Sequence, residues 1–431
     1  MKKLQLFLSL CLMAVAAQAQ HDNLINLSAE WVRTPARNAA TDAGDIVVYN
    51  PAGLVKLNDG FHINIGNQSL FRKPSHTFDM GMGMGEQTYT QDGNDLFLPN
   101  LYMSYKKDKF SLFTGMFMAG GGATANYPTG SFNTELIGLQ TLMATQGAYG
   151  AYTNQYMKAS SYYLTTTLGA AFAANDRISF SFAGRYISAT NKTSAGLTLT
   201  QSPMSLPDET MELKTSEEAT GFGGVFAMMV QANPRTRFTV RYETAVKLNF
   251  ETNQETDEFG ITQDGSKSRR DLPATLAIGM AVAPSTKTQV YADFNYYLQT
   301  GANWGTSTMA TDEKNYSELA GNAISINLAT TVQTGKNLML SIGCGYTDFQ
   351  YGDRDGYFTK AGAFETVPDD NFNVNTGFSY RITSALTGTV GYMHTFYQSA
   401  ETKAVLAAPM DITVKTKNSL DAIALGIDLK F

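Results

Sequence analysis

The sequence predicts an all-β transmembrane protein, an antiparallel outer-membrane β-barrel of about fourteen strands with a small N-terminal plug in its lumen. Three observations predict this fold. The first residues have the pattern of an export signal. Apolar and polar residues alternate along many long segments, and the connections between these segments are short and long in turn.

The export signal is carried by the first nineteen residues. Lys2 and Lys3 precede an apolar stretch over 4–17, and Ala17-Gln18-Ala19 has the small-x-small form of a signal peptidase site. We therefore expect residues 1–19 to be a signal peptide that is removed. The rest of the chain then contains one cysteine, Cys344, and no intramolecular disulfide is expected.

Composition narrows the class of protein further. Charged residues make up 16% of the chain and aromatic residues 11%, and after the signal no apolar run reaches the roughly 20 residues of a transmembrane helix. The net charge of -6 gives no basic surface, so no nucleic-acid partner is expected. A secreted β protein and an outer-membrane barrel remain as the two interpretations.

Alternation with a period of two residues favours the barrel. Ile423, Leu425, Ile427 and Phe431 share one face of the last segment, and similar runs lie near 237–243 and 371–381. A half-buried strand of a soluble sandwich alternates too. These runs, however, are long, recur along the chain and carry aromatic residues near their ends, which is typical of a barrel with lipid outside.

The connections between the alternating segments indicate the membrane topology. Short polar connections lie near 106–109, 174–177, 233–235, 285–287, 334–337 and 383–384, and long ones near 73–94, 121–157, 201–212, 253–268, 300–320, 352–369 and 400–411. Outer-membrane barrels have tight periplasmic turns and long extracellular loops. The strands are predicted to begin near 60, 95, 109, 158, 177, 213, 236, 270, 288, 322, 337, 370, 385 and 412. Both chain ends then lie on the periplasmic side. The terminal Phe431 resembles the signal that the barrel-assembly machinery reads, so this machinery is an expected partner.

Residues 20–58 do not alternate and precede the first predicted strand. A barrel of this width leaves a hole unless something fills it. We therefore predict a hatch, or plug, over 20–58, between the signal peptide at 1–19 and the barrel at 59–431. Within it, the strand-like run Ile46–Tyr49 is stopped by the turn residues of Asn50-Pro51-Ala52-Gly53.

The stretch ARNAATDAGDIVVYNPAGL resembles the hatch of the FadL/TodX-like family of outer-membrane long-chain fatty acid transporters. The matching positions are Ala39, Ala40, Asp42, Ala43, Asn50, Pro51, Ala52 and Gly53. The resemblance implies a passive channel without a cofactor or a chemical reaction. A hydrophobic ligand would pass through an internal pocket and leave by hatch rearrangement and a lateral opening, where the third strand kinks. We expect Asn50–Gly53 to hold the shape of the hatch.

The third predicted strand supplies candidate ligand-pocket residues. Phe113, Gly115 and Phe117 are expected to face the lumen, and Gly115 is the favoured position for a kink. Gly120 and Gly121 could form a bulge beside the lateral opening or simply begin the following loop.

That loop contains Leu136, Leu139, Leu142 and Met143 at helical spacing. In a soluble domain this stripe would be core. On an extracellular loop we interpret it as an exposed groove that contacts ligand or outer-membrane lipids.

Three arginines, Arg185, Arg241 and Arg381, are candidate partners for a fatty carboxylate, although each could pair with an acid of the lumen instead. The four histidines lack metal-ligand spacing, so no metal and no cofactor are predicted.

The sequence thus predicts a monomeric, non-enzymatic channel for long-chain fatty acids or other hydrophobic small molecules. A porin for another solute and an outer-membrane haem or lipid receptor are the alternatives. An outer-membrane enzyme would need neighbouring Ser and His or Asp and His residues, and no such set is visible. An adhesive or structural role also remains open.

Overall fold

The computed structural model describes residues 28–81, 83, 85–306, 314–365, 369–405 and 411–431. The predicted signal peptide and residues 20–27 of the predicted hatch therefore lie outside the described residues. The strands are β1 (Gly60–Arg72), β2 (Ser75–Asp79), β3 (Glu86–Thr90), β4 (Asn94–Lys107), β5 (Phe110–Tyr127), β6 (Ala151–Ala173), β7 (Ile178–Thr200), β8 (Glu209–Asn233), β9 (Thr236–Glu243), β10 (Asn249–Asp257), β11 (Lys267–Arg269), β12 (Ala274–Val282), β13 (Thr288–Leu298), β14 (Asn322–Gln333), β15 (Leu338–Gln350), β16 (Asn371–Arg381), β17 (Leu386–Tyr397), β18 (Ala400–Val405), β19 (Asp411–Lys417) and β20 (Ser419–Lys430).

The described strands close into an antiparallel barrel of 14 strands, which confirms the predicted fold class. The order around the barrel is β1, β4, β5, β6, β7, β8, β9, β12, β13, β14, β15, β16, β17 and β20. Strand β1 pairs with β20 from His62–Lys430 to Arg72–Leu420 and so joins the two ends of the sheet. Strands β10 and β11 pair with each other and extend the hairpin of β9 and β12.

The two faces of the barrel wall have opposite character. On β20, Ile423, Leu425 and Ile427 are exposed on the outside, whereas Ala422 and Ala424 are buried toward the lumen. Because successive residues of a strand point to opposite faces, each alternating run turns its apolar side outward. No helix among the described residues is long and apolar enough to cross a membrane.

The hatch segment, defined as residues 28–58, lies inside the barrel. It contains α1 (Ala29–Arg33), α2 (Ile46–Tyr49) and a 3-10 helix (Pro51–Lys56). Ser28 caps α1 by accepting a hydrogen bond from the Trp31 N–H at 2.9 Å. The strand-like run 46–49 is therefore one helical turn, buried on all sides.

A cap lies at the end of the barrel that carries the long connections. Strands β18, β19, β2 and β3 form a separate four-stranded sheet. The helices α3 (Phe132–Ala144), α4 (Tyr316–Ala320) and α5 (Arg354–Ala361) lie in the loops beside it. Phe78, Phe132, Trp304, Phe358 and Phe364 belong to one buried cluster there, so loops distant in sequence share a core.

Candidate functional site

The hatch segment is held together by a buried ion-pair network. The Arg37 guanidinium donates to both oxygens of Asp45, at 3.0 and 2.5 Å, and also lies 2.7 Å from Asp42. The Ser28 hydroxyl donates to Asp45 at 2.9 Å. Paired and hydrogen-bonded charges of this kind tolerate burial, so the network fixes the loop between the two helices of the segment.

Single hydrogen bonds join the hatch segment to the barrel wall. The backbone N–H of Asn38 donates to Asp293 at 2.8 Å, and that of Gly44 donates to Asp428 at 2.9 Å. The Asn375 amide donates to the Val32 carbonyl at 2.8 Å. Further side chains of the wall donate to backbone carbonyls of the segment, so it is attached to the wall at many points.

Glu30 is the buried acid of α1. Its carboxylate accepts a hydrogen bond from the Asn64 amide at 3.1 Å and lies beside Asp428. Burial and the neighbouring Asp428 raise the pKa of Glu30 to about 8. The Glu30 carboxyl is therefore largely protonated at neutral pH.

The residues of the predicted hatch motif contact both the rest of the hatch segment and the barrel wall. The Asn50 amide donates to the Ala40 carbonyl at 2.8 Å, and Pro51 begins the 3-10 helix that contains Ala52 and Gly53. The Ser179 hydroxyl of β7 donates to the Ala52 carbonyl at 2.7 Å. All four motif residues are buried, and the hydrogen bonds of Asn50 and Ala52 join the hatch segment to itself and to the wall.

The inward face of β5 forms an apolar wall beside the hatch segment. Phe113 and Phe117 are buried, and the Phe117 ring lies 6.0 Å from that of Tyr102. A Cβ atom at Gly115 would lie 3.2 Å from Val47 of α2. The structure thus brings Phe113, Gly115 and Phe117 together against the hatch segment.

Next to this wall, β4 and β5 separate. They pair from Lys107–Phe110 to Leu101–Met116, and no pairing between them continues beyond that point. Both strands run on, β4 along β1 and β5 along β6. They meet again where the Thr124 N–H donates to Asp95 at 3.1 Å. We call the unpaired stretch, 96–100 facing 117–123, the lateral gap.

The irregularity of β5 lies at its glycine run. The register shifts between Met118 and Gly120 and again between Gly121 and Ala123. Gly121 has a φ of 66°, and a Cβ there would lie 2.3 Å from the Ser161 carbonyl oxygen. Gly120 and Gly121 therefore belong to the strand and not to the loop. The structure corrects the favoured kink position from Gly115 to Gly121.

The structure corrects the prediction of an exposed apolar groove on the loop after β5. The helix is present as α3, and Ser131 and Thr134 form its capping box. Leu136 is buried in the cap core, Leu139 packs against that core, and Leu142 packs on a neighbouring cluster. Met143 alone of the four is exposed, at 51%. Most of the stripe is therefore core packing.

The candidate arginines lie in two different places. Arg185 and Arg241 are buried in the lumen, where both contact the carboxylate of Glu243, Arg241 at 3.0 Å. Arg185 also donates to the Thr244 carbonyl at 2.7 Å. Arg381 instead lines a cavity of about 640 Å³ at the end of the barrel that carries the short turns. The two buried guanidiniums are thus already bound to an acid of the chain itself.

A set of lumen residues that the sequence analysis did not single out as a site lines a second cavity. Trp31 of α1 faces amide and hydroxyl side chains of β13 to β17 across a space of about 80 Å³. The only sequence signal was the alternation of asparagines at 371, 373 and 375. Amides on the other strands come from segments distant in sequence, so no local pattern joins them.

Comparison with solved structures identifies the same architecture. A FadL homologue of Pseudomonas aeruginosa superposes with a TM-score of 0.68 at 14% identity, over 94% of this chain and 99% of the other. The toluene transporter TodX of Pseudomonas putida gives 0.62 at 12% identity, over 95% and 99%. The monoaromatic hydrocarbon channel CymD gives 0.57 at 14%, over 95% and 98%.

No protein-family model and no curated protein matches the chain by sequence. The class defined by the fold is the 14-stranded antiparallel β-barrel with an N-terminal segment in its lumen. Within that class, the chain has the FadL/TodX-like fold, as its N-terminal motif indicates.

Proposed function

We propose that the protein is a passive outer-membrane channel for long-chain fatty acids or other hydrophobic small molecules. The observation that carries the proposal is the lateral gap, because it lies beside the apolar face of Phe113 and Phe117 and above Val47 of the hatch segment. A ligand would enter the lumen from the cap side, pass this face as the hatch segment rearranges, and leave between β4 and β5 into the membrane.

The similar structures support a channel of this kind, since they include proteins described as a FadL homologue, a toluene transporter and a hydrocarbon channel. No catalytic step is part of the proposal. Monomeric state, contact with outer-membrane lipids and recognition of Phe431 by the assembly machinery remain predictions. The division into a hatch at 20–58 and a barrel at 59–431 is part of the same proposal.

The test is uptake by vesicles that contain the purified protein, with a radiolabelled aromatic hydrocarbon and a radiolabelled sugar as solutes. We expect the hydrocarbon to accumulate faster than through protein-free vesicles and the sugar not to. Phe117→Asn should reduce hydrocarbon uptake about tenfold, since removing one buried aromatic contact costs at least 1.4 kcal/mol.

Phe378→Asn is the matched control, because Phe378 is exposed on the outside of β16. It should leave hydrocarbon uptake unchanged. A porin would instead pass the sugar and respond little to Phe117→Asn, and that result would refute the proposed function.

A further inference from the structure

The lumen wall across the barrel from β5 carries mainly uncharged hydrogen-bonding side chains, with the buried carboxyl of Asp293 at its edge. The strand register aligns one row across five neighbouring strands, formed by Asn295, Ser325, Thr347, Asn371 and Tyr397. The adjacent row contains Asn327, Gly345, Asn373 and Thr395. All of these positions face inward because they share one parity along each strand.

Gly345 makes room for the amides of the second row. A Cβ atom at this position would lie 2.2 Å from Oδ1 of Asn327 and 2.6 Å from Oδ1 of Asn373. Any other residue would push at least one amide aside. The two asparagines therefore converge on one place in the wall.

The cavity of about 80 Å³ lies over these two rows. Trp31 and Tyr297 supply aromatic surface. The amides of Asn327, Asn371 and Asn373 also line the cavity; each donates one hydrogen bond within the chain and carries a second N–H. No residue that lines this cavity carries a formal charge. One water needs about 10–15 Å³ of such space, so the cavity has room for the polar end of a larger molecule.

Two described arginines of the lumen that could receive a carboxylate are already paired with an acid of the protein. Arg185 and Arg241 are bound to Glu243, and a ligand carboxylate would have to displace that acid or remain unpaired. A pure alkane would bind unfavourably for a different reason. It would remove water from the amide groups without forming hydrogen bonds to them. A molecule that is apolar at one end and uncharged but hydrogen-bonding at the other avoids both the unpaired charge and the loss of hydrogen bonds at the amides.

We propose that the lumen binds an uncharged amphipathic molecule, such as a long-chain alcohol, with its polar end on Asn327, Asn371 and Asn373 beside Trp31. This inference rests on the proposed function and names the substrate class of that channel.

The test uses the fluorescence of Trp31. The chain contains two tryptophans, Trp31 and Trp304, so a Trp304→Phe background leaves Trp31 as the only reporter. The full chain in phosphatidylcholine nanodiscs is titrated at pH 8 with 1-dodecanol and with dodecanoate, which share a chain length and differ in charge. We expect dodecanol to bind about tenfold more tightly than dodecanoate.

Asn371→Leu combined with Asn373→Leu should abolish this preference by weakening dodecanol binding about tenfold. Asn253→Leu is the matched control, because Asn253 is exposed on β10, and it should preserve the preference. Gly345→Ala is a milder second variant that displaces the same amides without removing them. Unliganded Trp31 emission reports whether each variant is folded.

Dodecanoate binding as tight as dodecanol, or an unchanged preference in both lumen variants, would overturn the inference. Hydrocarbon uptake by vesicles is measured on the same proteins. If hydrocarbon uptake persists without a preference for the alcohol, the proposed channel function is retained and only the proposed substrate class is refuted. If uptake itself is absent, the proposed function fails.

Discussion

At the scale of single residues, two arginines of the lumen share one acid of the protein itself. Glu243 is contacted by Arg185 and Arg241, and all three side chains are buried. Removing one member of a buried ion pair leaves the other charges uncompensated. A carboxylate ligand would therefore compete with Glu243 for these arginines.

Glu243→Gln should release both guanidiniums for an added carboxylate. We expect dodecanoate affinity to rise about tenfold, together with a loss of about 3–5 kcal/mol in unfolding free energy. Trp31 fluorescence titration and urea unfolding measure the two effects. Glu251→Gln, at an exposed pair with Lys267, should change neither. Unaltered dodecanoate affinity in Glu243→Gln would show that these arginines do not reach the ligand path.

Glu30 makes the packing of the hatch segment depend on pH. Its pKa in the folded protein, about 8, is above the ordinary value of 4.5, so the folded state holds a proton that the unfolded state releases. The contribution to stability is complete below pH 4.5 and declines as the pH rises to about 8.

We expect acrylamide to quench Trp31 more strongly at pH 9 than at pH 6, because the ionised Glu30 loosens α1. Glu30→Gln should remove most of this difference, whereas Glu401→Gln, on the exposed side of β18, should retain it. All of these measurements use the Trp304→Phe background, and equal quenching at both pH values in that chain with Glu30 intact would contradict the assignment to Glu30.

At the scale of elements, the lateral gap depends on the bulges of β5. Gly121→Ala would place a side chain on a residue with φ of 66°, which costs roughly 1–2 kcal/mol, and would also press on Ser161. We expect β5 to straighten locally and hydrocarbon uptake to fall severalfold. Gly184→Ala is the control, since nothing lies within 4 Å of a Cβ there. Equal hydrocarbon uptake by the two variants would show that transport does not depend on the bulges of β5.

The sequence predicts the elements of the wall well and those of the loops poorly. Alternation places β1, β9, β13 and β14 at their observed first residues, because each wall strand has one face in lipid and one in the lumen. The run Ile46–Tyr49 looks like a strand but forms a helical turn, since inside the lumen it satisfies its own backbone groups.

The helix α3 illustrates the other limit of sequence analysis. Its spacing predicts the helix correctly, but burial of Leu136 depends on Phe78, Trp304 and Phe364 from three other loops. The same reason hides the amide-lined cavity, whose residues come from β13 to β17 and from α1. Partners that meet only through the closed barrel leave no local pattern.

At the scale of the whole molecule, the hatch segment occupies the lumen of a barrel that would otherwise be open. Deleting residues 20–58 while keeping the signal should leave the barrel able to assemble, since the wall strands pair with one another independently of the segment. We expect ion conductance in planar bilayers to rise at least tenfold, as for a wide water-filled barrel. Conductance equal to that of the full chain would mean that the segment does not seal the pore.

The cap sheet continues the seam at which the two ends of the barrel meet. His62 pairs with Lys430 and Arg72 with Leu420 in the wall, and Ser75 pairs with Lys417 in the cap. In each pair the two residue numbers add to the same total, so one alignment extends through both sheets. A slip of two residues at the seam would offset the cap strands by about 7 Å. The pairs of the cap sheet can therefore form only when the last strand pairs with the first in the observed register. Formation of the cap sheet thus stabilises the correctly closed barrel relative to a barrel with a shifted register.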